Sequence, residues 1–501
     1  MLSYLLPKLR DIFFMALFFA VLGFGPRLFN VDGDLGRHIT VGEYILQEGR
    51  IPTRDVFSHT MRGQPLTPHE WLADLIFALA HRLAGLDGVV WLTALMVALT
   101  FTLVMAQSYE RSGLILLSLG MALWAAAASS LHWLARPHLW TMLFLSLWTC
   151  GLETMRRGGR FRWYLLPLLM LAWANTHGAF IAGFVVWGAY GVESLQVGKW
   201  ASGKFASGEV RRLGWIGALS LGATFLNPAG WRLWETTFGF LHNRYLVSHT
   251  AEYLPPDFHD PSTWPFLGLV AFSVLVLALK GRRLPLSHAL LLSGWTAMGL
   301  YSARNIPLYA IVAAPILTET VASGKLASLQ VSKFASGQVG KFAGLQVRLG
   351  AMENSLKGAL WPVSFALLMG AALLSGARLD FGGRGNVFLP EVFPVQAADW
   401  LETHPQEGNV FNYFPWGGYL LYRFEGRLPV FIDGQTDFYG EALTRRYEQV
   451  ITLAEGWPEV LAEYRVTWVL VPADSPLVPA LEARGWRRVY ADATAIIVVH
   501  E

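Results

Sequence analysis

Residues 12–37, IFFMALFFAVLGFGPRLFNVDGDLGR, decide the kind of fold this chain adopts. The run 12–29 is apolar and close to the roughly 20 residues that a helix needs to cross hydrocarbon. Lys8 and Arg10 precede it, as in a signal peptide, but no small-x-small cleavage site follows, so the run reads as a retained anchor. Directly after it comes Asp32-Gly33-Asp34. Two carboxylates two residues apart at a bilayer surface are costly unless solvated, paired or bound to a cation. A plain solvated turn centred on Gly33 is the competing reading.

Composition agrees with the anchor. Apolar residues make up 53% of the 501 and charged residues only 15%, against about 25% in soluble domains. The chain is therefore a multispan membrane protein. The net charge of +3 is small, and its basic residues cluster in short loops. That pattern concerns membrane orientation and not nucleic-acid binding. The single cysteine, Cys150, lies in an apolar run, which excludes an intrachain disulfide or a cysteine-based metal site.

Further apolar runs lie near 88–107, 113–131, 138–154, 263–279, 285–303, 306–321 and 358–377. The stretch 163–192 is too long for one span, and it reads as two short helices with Asn175-Thr176-His177-Gly178 at their apex. A short run, 213–226, ends at Asn227-Pro228. The total is about eleven transmembrane helices. With the N-terminus in the cytoplasm, Arg111, Arg156, Arg157, Arg160, Arg162, Lys199, Lys204, Arg211, Arg212, Lys280, Arg282, Arg283, Lys325, Lys333, Lys341 and Arg348 all fall inside. The Asp32 loop, Arg136-Pro137-His138, the His177 apex, the loop 227–262, Arg304-Asn305 and the C-terminal tail fall outside. This sorting requires that 69–83, an amphipathic stretch broken by Asp74, His81 and Arg82, lie on the outer surface without spanning.

After about residue 379 charged residues return and the apolar runs shorten to strand length at 429–432, 467–471 and 495–499, with helical patterns at 441–464 and 476–485 between them. The expected architecture is thus a polytopic α-helical membrane domain over 1–378, with an outer loop at 30–87, and a soluble extracytoplasmic α/β domain over 379–501. Two inner loops, 194–210 and 325–347, share a repeated SLQV/KFASG phrase. It reads as duplicated low-complexity linker, with a basic lipid-facing surface as the functional alternative.

Apart from His288, ionisable groups are nearly absent from mid-span and gather at one set of helix ends. Transporters and ion pathways carry them near the bilayer centre, so an interfacial site is the better fit. Asp32-Gly33-Asp34-Leu35-Gly36-Arg37-His38, with Gly42-Glu43 and Ile51-Pro52-Thr53-Arg54-Asp55, resembles the first outer loop of GT-C superfamily glycosyltransferases. His69-Glu70-Trp71, Arg136-Pro137-His138, Asn175-Thr176-His177-Gly178 and Arg304-Asn305-Ile306-Pro307 are similar to a bacterial branch of it, loosely akin to mannosyltransferases and oligosaccharyltransferase catalytic subunits.

The resemblance implies a multi-pass plasma-membrane enzyme of bacterial type. It would take a hexosyl or pentosyl group from a polyprenyl-phosphate carrier and pass it, with inversion, to a lipid, glycan or protein acceptor on the outer face. It also implies an acidic residue of the first loop as base, here Asp34, with Asp32 sharing the role or holding a divalent Mg or Mn ion with it. A positioned carboxylate speeds attack by a hydroxyl roughly 10²–10⁴-fold. The phosphate leaving group needs positive charge instead of an acid. Arg136 and Arg304 suit it because a guanidinium binds phosphate bidentately. His38, His69, Glu70, His138, His177 and Asn305 are the remaining candidates for contact with the donor.

The segments Asn412-Tyr413-Phe414-Pro415-Trp416-Gly417-Gly418-Tyr419 and Phe431-Ile432-Asp433-Gly434-Gln435-Thr436-Asp437 are loosely similar to the aromatic-glycine region of oligosaccharyltransferases. The Trp-Trp-Asp-Tyr-Gly run of those enzymes is not present. A transporter or flippase of lipid-linked saccharide is the alternative from another class, and a non-catalytic assembly protein is a third.

Overall fold

The computed structural model describes residues 6–31, 33–200, 204–280, 284–323, 340–358, 360–378 and 385–500. Asp32, residues 201–203 of one repeated loop and most of the other fall outside them. Each apolar run forms a helix: Leu9–Leu22, Trp71–Ser112, Ile115–Ser129, His138–Arg156, Leu165–Ala174, Ile181–Trp200, Lys204–Thr224, Trp264–Lys280, Leu286–Tyr301, Ile306–Ala322 and Leu360–Leu374. Ile306–Ala322 is buried on nearly every side, as expected of a helix that is apolar all round. It packs against Trp71–Ser112, Ile115–Ser129, His138–Arg156, Trp264–Lys280 and Leu286–Tyr301. Trp148, Trp173, Phe101, Phe180 and Phe266 fill the interior.

The apolar helices suit a membrane-embedded chain, but their lengths do not confirm the expected span count. Among the described residues five helices are long and apolar enough to cross, Trp71–Ser112, Ile115–His132, Gly178–Gln196, Pro261–Leu279 and Ala303–Ala322. A sixth follows if the bent pair Gly344–Ser355 and Leu360–Leu374 is one span. The expected eleven exceeds this because helices such as Leu9–Leu22 and Leu165–Ala174 have only 14 and 10 residues, well short of about 20.

The stretch 69–83 does part from the span that follows it. Trp71–Ser112 is broken at Ala84 (φ −151°) and Gly85 (φ +58°), a conformation that glycine adopts without a Cβ clash. The polar residues that interrupt its hydropathy find partners on the first loop and the C-terminal region. Arg82 grips Glu43 with two nitrogens at 2.6–3.0 Å, Asp74 meets His38 at 2.7 Å, and His81 meets the Tyr422 hydroxyl at 3.0 Å.

Asp34–Glu48 is the short helix that carries the acidic motif. Two glycines let it be clamped from both sides. A Cβ at Gly42 would lie 2.1 Å from the Asp74 carbonyl oxygen, and one at Gly36 would lie 2.4 Å from that of Gly418. Only glycine permits such approach.

The C-terminal region forms a four-stranded sheet in the order β1-β2-β4-β3. The strands are β1 Asn409–Asn412, β2 Val466–Pro472, β3 Arg487–Ala491 and β4 Ala495–Val499. β1 runs parallel to β2, while β4 is antiparallel to both β2 and β3. The expected strand at 429–432 is not part of the sheet. The Asn412 amide satisfies Phe431 N–H (2.8 Å) and the Ile432 carbonyl (2.9 Å). Val430 pairs instead with the first loop, donating to the Phe57 carbonyl and accepting from His59 N–H, both at 3.1 Å. The pattern at 441–464 likewise divides into Thr436–Ile451 and Trp457–Glu463, interrupted by Leu453 (φ +56°) and Gly456 (φ +80°).

Candidate active site

Several separate chain segments bring their polar residues to one end of the helical bundle. The first loop supplies Asp34, the opening residue of its helix. Next to it, Ala135 N–H donates to the Leu28 carbonyl at 2.7 Å, which sets the turn that carries Arg136. The Arg136 guanidinium forks, with Nη2 donating to Asp34 and Nη1 to Glu252. Glu252 then lies 3.4 Å from Arg304. Arg304 donates to the Tyr253 hydroxyl at 3.1 Å and sits 5.0 Å from the centre of its ring.

From Arg304 the network continues to the His177 apex. Arg304 Nη2 donates to His177 Nε2 at 2.9 Å, and His177 Nδ1 is 2.8 Å from Thr141 Oγ1. Because an arginine can only donate, Nε2 is the acceptor and the neutral Nδ1–H tautomer follows. Trp173 Nε1–H also donates to Thr141, at 2.8 Å. The apex is tied to the helix start at Trp71 by Trp71 Nε1–H to Asn175 Oδ1 (2.7 Å) and Leu72 N–H to the Asn175 carbonyl (3.1 Å). Those bonds bring Glu70 to 3.7 Å from His177, and His69 to 3.8 Å from Glu70 and 3.7 Å from Asp437.

The charges along this path alternate, and the alternation sets their protonation. Burial alone would raise the Glu252 carboxyl, but Arg136 and Arg304 hold it well below the usual carboxylate range. Burial pulls His69 down, yet the facing Asp437 and Glu70 carboxylates leave it above its ordinary value. Glu70 is pushed up, chiefly by burial. His38 is also raised: burial opposes its charge, but its bond to Asp74 prevails.

The C-terminal region forms one wall of the site. A Cβ on Gly434 would lie 1.7 Å from Asp34 Oδ1, and one on Gly33 would lie 1.9 Å from the Pro415 carbonyl oxygen. Three residues beyond Asp34, Arg37 reaches into the same wall, bonding Asp433 at 2.7 Å and Gln435. Tyr439 holds the same Asp433 oxygen at 2.9 Å.

Of the residues singled out from sequence, Asp34, Arg136, Arg304, His177, Glu70 and His69 lie in this network, and His38 lies one helical turn behind Asp34. Two others turn away. His138 Nε2 is 2.5 Å from the His132 carbonyl, and the exposed Asn305 donates to the Met298 carbonyl at 3.1 Å. Nothing in the sequence of the loop 227–262 sets Glu252 apart from Asp257, His259 and Asp260. The pair Asp257 and His259 is exposed and bonded to itself. Asp437 was part of a quoted motif but carried no signal of its own.

Regarding metals, one trio among the described residues brings ligand atoms within 4.8 Å of one another: Glu153, His288 and Glu319. Its donors suit a divalent ion, but Glu153 already accepts from His288 (3.0 Å), Arg156 (2.9 and 2.7 Å) and Tyr190 (2.9 Å). It also lies fifteen residues along the helix from His138, about 22 Å at 1.5 Å per residue, so it does not serve the Asp34 site.

No protein-family model matches the sequence, and comparison with curated proteins returns no match. Solved structures do resemble it. The apo oligosaccharyltransferase of Archaeoglobus fulgidus superposes with a TM-score of 0.55 at 10% identity, covering 93% of this chain and 70% of that one. The same enzyme tethered to an acceptor peptide containing an NVT sequon gives 0.54 at 11% identity, covering 93% and 69%. The archaeal oligosaccharyltransferase AglB from Archaeoglobus fulgidus, in complex with an inhibitory peptide and a dolichol-phosphate, gives 0.57 at 10%, again covering 93% and 69%. The chain therefore shares the fold of an oligosaccharyltransferase over nearly its whole length.

Proposed function

We propose that this protein is an integral membrane glycosyltransferase that moves a sugar from a polyprenyl-phosphate carrier to an acceptor on the extracytoplasmic face, inverting the anomeric centre. The observation that carries the reading is the Asp34–Arg136–Glu252–Arg304 arrangement at one end of an apolar bundle. It sets a carboxylate for proton removal beside two guanidinium groups suited to phosphate. The shared fold supports it, since one neighbouring structure holds an acceptor peptide and another a dolichol-phosphate with an inhibitory peptide.

In the proposed reaction Asp34 takes the proton from the acceptor while that acceptor attacks the anomeric carbon. The bond from that carbon to the phosphate oxygen breaks, and its electron pair stays on the lipid phosphate beside Arg136 and Arg304. His177, accepting from Arg304 and braced by Thr141, fixes the guanidinium in place. Asp32 sharing the base role, or a divalent ion held with Asp34, belongs to the same proposal. Arg136 and Arg304 supply positive charge of their own at the phosphate. The proposed orientation keeps the N-terminus in the cytoplasm of a bacterial-type plasma membrane, with the region 379–501 outside.

An oligosaccharyltransferase-like reaction on a protein acceptor is the second reading, favoured by the fold likeness. The test is a structure in lipid nanodiscs with an added polyprenyl phosphate. Phosphate density beside Arg136 or Arg304, within reach of Asp34, supports glycosyl transfer. A lipid bound elsewhere, with a continuous polar path between two halves, favours transport.

A further inference from the structure

Glu252 has no evident part in the chemistry, yet it lies between the two guanidinium groups of the network. Its carboxylate bonds Arg136 and lies 3.4 Å from Arg304, so it sits where a phosphate joined to both guanidinium groups would sit. A carboxylate and a phosphodiester each bring about one negative charge and oxygens of similar reach, and two guanidinium groups favour either. We infer that Glu252 is an exchangeable stand-in for the donor's phosphate. It holds Arg136 and Arg304 at their bound spacing while the site is empty of donor and rotates out when a monoanionic phosphoryl group arrives.

Three features make exchange feasible. The backbone around Glu252 is pinned independently of its side chain: Ser302 Oγ donates to the Glu252 carbonyl at 3.1 Å, and Ala303 N–H donates to the Leu254 carbonyl at 2.9 Å. Release therefore needs side-chain rotation, not loop unfolding. Next, the Glu252, Arg136 and Arg304 side chains retain 28%, 21% and 30% exposure, so a headgroup can reach them. Finally, Arg304 also donates to the Tyr253 hydroxyl at 3.1 Å, a contact that does not involve the Glu252 side chain and so leaves Arg304 a hold when Glu252 rotates away. Without Glu252, two cations at close range would repel each other.

The inference rests on the proposed phosphate site, and the experiment separates the two. Binding of a polyprenyl methyl phosphate, a monoanionic phosphodiester, to the full chain in nanodiscs would be measured for wild type, Glu252→Gln, Glu252→Asp and Arg136→Gln. Removing the competing carboxylate is expected to tighten binding about tenfold in Glu252→Gln, about 1.4 kcal/mol. Glu252→Asp draws the charge back by one methylene and is expected to gain about threefold, which keeps the test alive if the Gln variant fails to fold. Equal or weaker binding in both variants, with Arg136→Gln still losing affinity, overturns the exchange alone. Unchanged affinity in Arg136→Gln overturns the phosphate site itself, and the exchange with it.

Discussion

Asp34 and Arg37 leave the same turn of one helix for opposite fates. Arg37 and its partner Asp433 are sealed, with side-chain exposures of 7% and 0%, and Tyr439 and Gln435 complete their bonding. Asp34 and Arg136 keep 17% and 21%, and Arg136 divides its donors between two carboxylates. The first pair fastens the C-terminal region to the loop. The second stays partly open, and its named contacts are to charges that a substrate could replace. One ion pair is sealed, and its neighbour, three residues away, is the one to which the proposed reaction assigns the chemistry.

The largest effect should come from breaking the sealed pair. Arg37→Ala or Asp433→Ala leaves a buried charge without its partner, at a cost of about 3–5 kcal/mol. A large fall in the thermal unfolding midpoint is expected, and every activity should be lost with it. A variant that melts like wild type would erase the distinction between the two pairs.

Asp34→Asn should do the reverse. Removing a general base costs roughly 10²–10⁴-fold in turnover, while the melting point and lipid-phosphate binding stay close to wild type. Gly434→Ala sharpens the comparison from the other side of the interface. Its Cβ would overlap Asp34 Oδ1, so the carboxylate must shift, and misplacement on that scale costs up to about 10²-fold. Turnover should fall about ten- to a hundredfold with little change in melting.

The smallest effect concerns pH. His69 is raised above its ordinary value despite burial, because of Asp437 and Glu70. Its charged form therefore stabilises the fold below about pH 6.5, and that contribution is lost as pH rises through the folded value. Replacing His69 removes that contribution, so between pH 6 and 8 the wild-type melting point should lose about a degree or two relative to His69→Gln. His38, raised in the same way, should give a difference of the same sign when replaced.

Much of the helical part was legible because hydrocarbon demands continuous apolar runs: all of them became helices, and the break after residue 83 was marked by Asp74, His81 and Arg82. Span number was not legible, since a run of apolar residues does not reveal where a helix such as Leu165–Ala174 stops. The 429–432 segment misled because β-prone residues can be satisfied by one asparagine side chain and a loop as well as by a sheet. Asp34, Arg136, His177 and Arg304 could be named from their positions at helix ends. Glu252 and Asp437 could not, because their importance lies in contacts with residues 116 and 368 positions away, and nothing local separates Glu252 from Asp257 or Asp260.

The most direct test of the account is sugar transfer from a polyprenyl-phosphate-linked donor in proteoliposomes, comparing wild type with Asp34→Asn and following release of polyprenyl phosphate. The account predicts release by the wild type and at least a hundredfold slower release by the variant, with donor binding retained. Turnover that persists in Asp34→Asn, or a wild type that moves the intact donor across the bilayer without cleaving it, would contradict it.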